Sequence, residues 1–176
     1  MATDPTSGKH LVLLPTPVVN DMGEGKTPPQ FDAWTEEMRA KHGNGNGHGP
    51  SLAIEAQRAE DAESRFGEYG PAVERQESFT RPAPEPLQIG SKGQPQLAPR
   101  FTEWMQGLDE GWVTDPAIWK GMTDKRGKPA SATAIRSAQL HALGNGVIPL
   151  QSAVALRILL IRAIQSGGPD SFLGDQ

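Results

Sequence analysis

Gly144, Asn145 and Gly146 interrupt two apolar helical patterns and are the residues best placed to bring backbone against a ligand. Before the break, Ile135, Ala138, Ala142 and Leu143 recur at helical spacing. After it, Pro149 suits the first turn of a new helix, where its missing N–H costs nothing. Two glycines let the turn approach a small molecule or another chain, and the helix that follows offers free N–H groups at its start. The same residues also read as a helix C-cap and a corner. A second candidate is the glycine-containing connection with Lys120, Lys125, Arg126 and Lys128 beside Trp119. Clustered cations on a loop follow phosphates and an indole stacks on bases; a solvated loop is the competing reading. His42 and His48 lack acidic partners at metal-ligand spacing. Asp21 and Glu24 form no acid–base pair beyond what a polar turn holds. The chain has no cysteine, which excludes disulfides, thiolate metal sites and a cysteine nucleophile.

The elements that must position these residues are mostly helical. Leu11 to Leu14 is a short strand-like run ended by Pro15 and Pro17. Thr27 suits a helix cap before Pro28 and Pro29, with Phe31, Trp34 and Met38 on one face of the helix. Gly43 to Pro50 reads as a connector without bulk. Ser51 caps a second pattern with Leu52, Ala56, Ala59, Ala62 and Phe66 in a thin stripe. The many charges on that pattern predict a solvated surface helix. Gly70 and Pro71 start a further short helix. Five prolines between Arg81 and Pro99 predict irregular or polyproline chain. Pro99 opens a helix with Phe101, Trp104, Met105 and Leu108 at i, i+3, i+4 and i+7. Ser131 or Thr133 caps the helix that leads into the glycine turn. The run from Ala153 to Ile164, interrupted by Arg157 and Arg162, reads as a buried helix that wants partners on several sides.

Composition bounds the rest. Of 176 residues, 36% are hydrophobic, 20 are glycine and 16 are proline. That breaker content is well above the usual ~12% and predicts a loosely packed body with long connections rather than a large core. The formal charge of −4 is no basic footprint, so a nucleic-acid contact must come from a local patch. No apolar run approaches the ~20 residues that span a bilayer, and the N-terminus lacks a signal-peptide pattern. A cytoplasmic protein with no membrane contact is the expectation.

Two motifs stand in order in the second half. Gln139, Leu143, Gly144, Asn145, Gly146, Val147 and Pro149 resemble the last conserved motif of cytosine-5 DNA methyltransferases. Upstream, Pro99-Arg100, then Gln106-Gly107-Leu108, then Trp112, resemble the motif that precedes it in that family. The likeness is nearest to the C-terminal part of phage and actinobacterial enzymes; it covers the last half of the chain well and the first half more loosely. Family members attack a flipped cytosine with a cysteine, and take the methyl group from S-adenosylmethionine on a Rossmann-like sheet. This chain has neither a cysteine nor a glycine-rich cofactor loop after a strand. The resemblance therefore implies a target-recognition region followed by the last two motifs. It implies that Gly144, Asn145, Gly146 and Val147 border the adenosylmethionine site. It implies that Arg100 and Gln106 support the recognition region, and that Arg100, Gln106, Gly107, Gln139 and Pro149 are structural residues of the two motifs. Phe101 and Thr102 stand where the family has Glu and a variable residue, which puts the ion pair around Arg100 in question; Trp104 replaces an Arg and Asp109 a Pro.

The expected fold is mainly α with one or two short strands (α+β). It has loosely packed helices, long Pro/Gly-rich connections and no Rossmann-like catalytic sheet. The expected organisation is a recognition-like helical segment over residues 1–80, a Pro-rich linker over 81–98, a motif-bearing helical segment over 99–165 and a tail over 166–176. The expected partners are double-stranded DNA, contacted through Lys120, Lys125, Arg126 and Lys128, and a catalytic methyltransferase chain with which S-adenosylmethionine is shared. A non-catalytic DNA- or methyltransferase-binding module, or an inactive remnant, are the alternatives.

Overall fold

The computed structural model describes residues 12–18, 21–43, 49–60, 65–146 and 149–165. The described residues hold six α-helices, a short 3-10 turn at Gly67–Tyr69 and one two-stranded hairpin, joined by turns and irregular chain, the mainly α architecture expected. In chain order they are α1 (Pro28–His42), α2 (Leu52–Glu60), α3 (Gly70–Glu77), β1 (Leu87–Ile89), β2 (Pro95–Leu97), α4 (Pro99–Met105), α5 (Ala132–Gly144) and α6 (Pro149–Gln165). The Leu11–Leu14 run forms no strand over its described residues, 12–14.

The middle of the fold is α2, where the sequence predicted a surface helix. Leu52, Ala53, Ile54, Ala56, Gln57 and Ala59 are all buried. Small residues let neighbours close in, and the polar groups are satisfied internally. Gln57 donates to the carbonyls of Lys26 (3.0 Å) and Ala53 (3.2 Å). The start of α2 is tied twice. Ser51 Oγ accepts from the Ile54 N–H at 3.2 Å, and Asp21 accepts from the Ser51 hydroxyl and from the Ala53 N–H (3.0 Å). A carboxylate at a helix N-terminus meets unpaired N–H groups and the positive end of the dipole. Gly23 permits this approach: a Cβ there would lie 2.4 Å from Ile54 Cγ1.

Around α2 packs one apolar core built from Leu52, Phe66, Tyr69, Val73, Leu97, Phe101 and Trp104. Phe101 stacks on Phe66 and on Trp104 at centroid distances of 5.9 and 5.5 Å. Burying each large apolar side chain contributes about 1.5–3 kcal/mol, so these aromatics anchor the body. The Trp104 indole donates to the Arg81 carbonyl at 2.7 Å, and Gln76 donates to the Trp104 carbonyl at 2.8 Å.

Residues 81–98 hold more structure than their prolines predict. β1 and β2 pair antiparallel, with Leu87 opposite Leu97 and Ile89 opposite Pro95. Pro95 is tolerated because it stands at the first position of a strand. Gly93, at φ +80°, makes the reversal, a left-handed conformation that side chains disfavour.

α6 differs from its expectation in the opposite direction. Val154, Leu156, Ile158, Leu159, Leu160, Ile161 and Ile164 are all exposed. The pattern is that of a buried helix, yet no surface among the described residues covers these side chains. No helix among the described residues is long and apolar enough to cross a membrane.

Candidate functional site

α4 and α5 pack together and carry the two motifs. Ser131 caps α5 by accepting from the Ala134 N–H at 3.2 Å. The helix then runs unbroken to Gly144, and its C-terminal end turns at Asn145 and Gly146. The Asn145 N–H donates to the His141 carbonyl and the Gly146 N–H to the Leu143 carbonyl, both at 3.1 Å. The Asn145 carboxamide nitrogen lies 3.1 Å from His141 Nδ1. Asn145 and Gly146 are exposed and Gly144 is half-buried, while Val147 lies outside the described residues.

The upstream motif reaches this turn through one side chain. Gln106, buried at the end of α4, donates from Nε2 to the Leu143 carbonyl at 2.6 Å. A Cβ at Gly146 would sit 3.2 Å from the Leu143 carbonyl oxygen and 3.5 Å from Gln106 Oε1. Gln106, Leu143 and Gly146 thus form one close-packed corner. Gly107 takes φ +68°, which lets α4 end sharply. Arg100 and Gln139 line a shared groove of about 390 Å³ with Pro99 and Thr114. Pro149 opens α6.

Arg100 is largely exposed and lies 3.9 Å from Glu110. The acid that does the work on α4 is Glu103, which is fully buried. Its Oε1 accepts from the N–H groups of Val113 (2.7 Å) and Thr114 (3.0 Å). Its Oε2 accepts from the Gly111 N–H and the Thr114 hydroxyl, both at 3.0 Å. Arg81 adds a cation 3.7 Å from Oε2. Four hydrogen bonds to one carboxylate hold the 111–114 segment against α4, and bonds to a charged acceptor are the stronger kind. Trp112 sits inside this clamped segment, 66% exposed.

The four predicted DNA-contacting bases lie between α4 and α5. A single bridge, Thr123 to Pro129, closes a tight reversal. Asp124 Oδ1 accepts from the N–H groups of Arg126 (2.8 Å) and Lys128 (3.0 Å), which holds the tip of the reversal while Asp124 stays exposed. Lys120, Lys125, Arg126 and Lys128 are all exposed. None of them forms an ion pair among the described residues. Trp119 is half-buried, with its indole N–H donating to the Val113 carbonyl at 2.6 Å. That fixes it to the Glu103-held segment and leaves Trp112 as the freely presented indole.

No family model matches the chain, and no curated protein or solved structure matches it.

A cavity of about 500 Å³ lies beside α5, lined by Pro17, Met22, Glu24, Thr102, Arg136 and His141. Arg136 is buried and reaches two elements. It donates from Nε (3.1 Å) and an Nη (2.7 Å) to the Leu97 carbonyl, and pairs with Glu24 at 2.8 Å. Burial raises the Glu24 carboxyl above its ordinary value, with Arg136 opposing. Glu103 and Arg136 are not singled out by sequence, and Asp21 enters there only as a member of a polar turn, not as the acid that ties the start of α2. Glu103 falls on the side of α4 away from the Phe101, Trp104, Met105 and Leu108 stripe, so helical spacing gave no signal of its burial, and Arg136 gave none because its partners are distant in the chain. Among the described residues no cluster of potential ligands could hold a metal ion. The arrangement offers a backbone corner, an exposed cationic turn and an exposed apolar helix.

Proposed function

We propose that this chain is the C-terminal, target-recognition part of a cytosine-5 DNA methyltransferase and acts with a catalytic chain that supplies the nucleophilic cysteine. The observation that carries the reading is the Gln106–Leu143 hydrogen bond. Two sequence motifs that resemble consecutive motifs of that family, 37 residues apart at these positions, meet in one corner. Exposed α6 supports the same reading. A helix this apolar is stable in water only against another surface, and the missing catalytic part is a fitting one.

S-adenosylmethionine, when bound, supplies the methyl group. Gly144, Asn145 and Gly146 fit a wall against which such a cofactor lies. The N–H groups of Asn145 and Gly146 are already spent on α5 carbonyls, so the turn contributes shape and the Asn145 side chain rather than a gripping donor set. Gly146 keeps that wall thin, because any Cβ would crowd Leu143 and Gln106. Lys120, Lys125, Arg126 and Lys128 supply a phosphate-facing surface, four cations against the one exposed carboxylate of Asp124, which is tied to the backbone N–H groups of Arg126 and Lys128.

The test is methyl transfer from labelled adenosylmethionine to double-stranded DNA, with this chain alone, a candidate catalytic chain alone, and both. Activity only in the mixture, reduced by Asn145→Ala, is the expected result. A partner that binds cofactor yet gains nothing from this chain sinks the proposal. DNA binding without methyl transfer would then favour a non-catalytic binding module.

A further inference from the structure

Two apolar surfaces of this chain stand open, and the charges around them are opposite. α6 exposes Leu156 (60%), Leu159 (59%), Leu160 (63%) and Ile164 (73%). Its charged residues are Arg157 and Arg162, with no acid between 149 and 165. The second surface is the segment held by Glu103, where Trp112 is 66% and Ile118 is 55% exposed. Asp109, Glu110 and Asp115 stand around it, all exposed, and no base lies between 109 and 118. Arg100, 3.9 Å from Glu110, offsets that acidity only in part.

We propose that α6 of one copy docks on the Trp112 face of a second copy, and that the reciprocal contact closes a twofold dimer. The charges select this occupant. Arg157 and Arg162 of one copy meet Asp109 and Glu110 of the other, and opposite charges across an interface set register. Guanidinium groups also suit an indole face. The Glu103 hydrogen bonds fix the backbone on both sides of Trp112 before any contact forms, so little ordering entropy is lost on docking. A twofold arrangement uses each surface once per chain and leaves none open at the smallest assembly size, whereas one-way contact needs a larger ring or continues into a filament. The dimer does not depend on the methyltransferase reading: it is the state of this chain by itself, a catalytic chain on α6 would displace the second copy, and it is tested on this chain alone.

The experiment is sedimentation velocity of the full chain over a concentration series, at low and high salt. Wild type should dimerise, and more weakly at high salt. Trp112→Ala should raise the dimer dissociation constant about tenfold or more, as loss of a central aromatic anchor does. Arg157→Glu with Arg162→Glu should weaken it likewise, and adding Asp109→Lys and Glu110→Lys to that chain should restore it. Asp115 is left in place because it accepts the Ala117 N–H at 2.8 Å. All substituted side chains are exposed, and circular dichroism should be unchanged in every variant. A monomeric wild type overturns the proposal. So does self-association indifferent to Trp112→Ala, or a charge reversal that fails to restore the dimer.

Discussion

Glu103 is a carboxylate with no solvent, held in place by what it accepts. Its two oxygens take three backbone N–H groups and one hydroxyl, so the side chain replaces water completely for the 111–114 segment. Substitution by Gln keeps the shape and changes the chemistry. The amide nitrogen faces donors, and one pair of hydrogen bonds becomes a clash of like groups. Glu103→Gln should cost about 2 kcal/mol or more in urea unfolding, since a buried donor without a partner bears its full desolvation cost. Hydrogen exchange locates the loss: the Gly111, Val113 and Thr114 amides should lose protection while α2 amides keep theirs. Gly146 acts at the same scale in a different way. Its role is the absence of a Cβ beside Leu143 and Gln106, legible in sequence as a glycine but not as a contact.

At the scale of elements, the reversal between Met122 and Ala130 is the clearest functional device. The Ala130 N–H donates to the Met122 carbonyl (2.9 Å) and Asp124 organises the tip, so Lys125, Arg126 and Lys128 are displayed on the reversal, with Lys120 just before it and Asp124 the one acid among them. If all four contact phosphate, the logarithm of DNA affinity should fall with the logarithm of salt at a slope of about −3.6. Lys125→Ala and Arg126→Ala should each flatten that slope by about one unit, measured by fluorescence anisotropy on duplex DNA. A flat slope for wild type would remove DNA from this surface. α1 shows how fully an element can be read in advance. Thr27 and Gln30 form a capping box, Pro28 starts the helix, and Gly43 ends it at φ +65°. Those signals are local, and the structure follows them. α2 was read as solvated because its charges outnumber its large apolar residues. In the fold its small residues allow approach from several sides, Gln57 and Glu55 bond to neighbouring elements, and Arg58 and Glu60 keep to the exposed side.

Across the whole molecule, Arg136 joins parts that are far apart in the chain. From α5 it holds the Leu97 carbonyl at the end of β2 and the Glu24 carboxylate beside α1. Burial raises the Glu24 carboxyl, so between its unfolded value and that raised value the folded state binds more proton than the unfolded chain. The contribution of this group to stability is therefore largest at low pH and falls as pH rises through that window. In thermal melts, the stability of wild type relative to Glu24→Gln should shift in favour of wild type as pH drops from neutral toward 4.5. A difference that is constant with pH would mean that Glu24 is not buried in solution. The same molecule leaves α6 uncovered, and the two proposals for that helix differ in what they require: one needs a catalytic chain, the other a second copy.

Sequence alone determined the helices with local punctuation, the mainly α class, and the order of the two motifs. Capping residues, prolines and apolar spacing act within a few residues of themselves, and they need no fold to act. It also determined that this chain carries no cysteine nucleophile. Tertiary structure alone decided that α2 is central, that residues 81–98 form a hairpin, and that Glu103 and Arg136 are buried ties. It decided that Gln106 reaches Leu143, and that Trp112 rather than Trp119 is the presented indole. Those outcomes depend on partners tens of residues away, and burial is a property of the neighbours rather than of the residue. α6 marks the limit of such reading. Its apolar pattern reads as a buried helix, the described residues leave it exposed, and no pattern in a single helix names a covering surface.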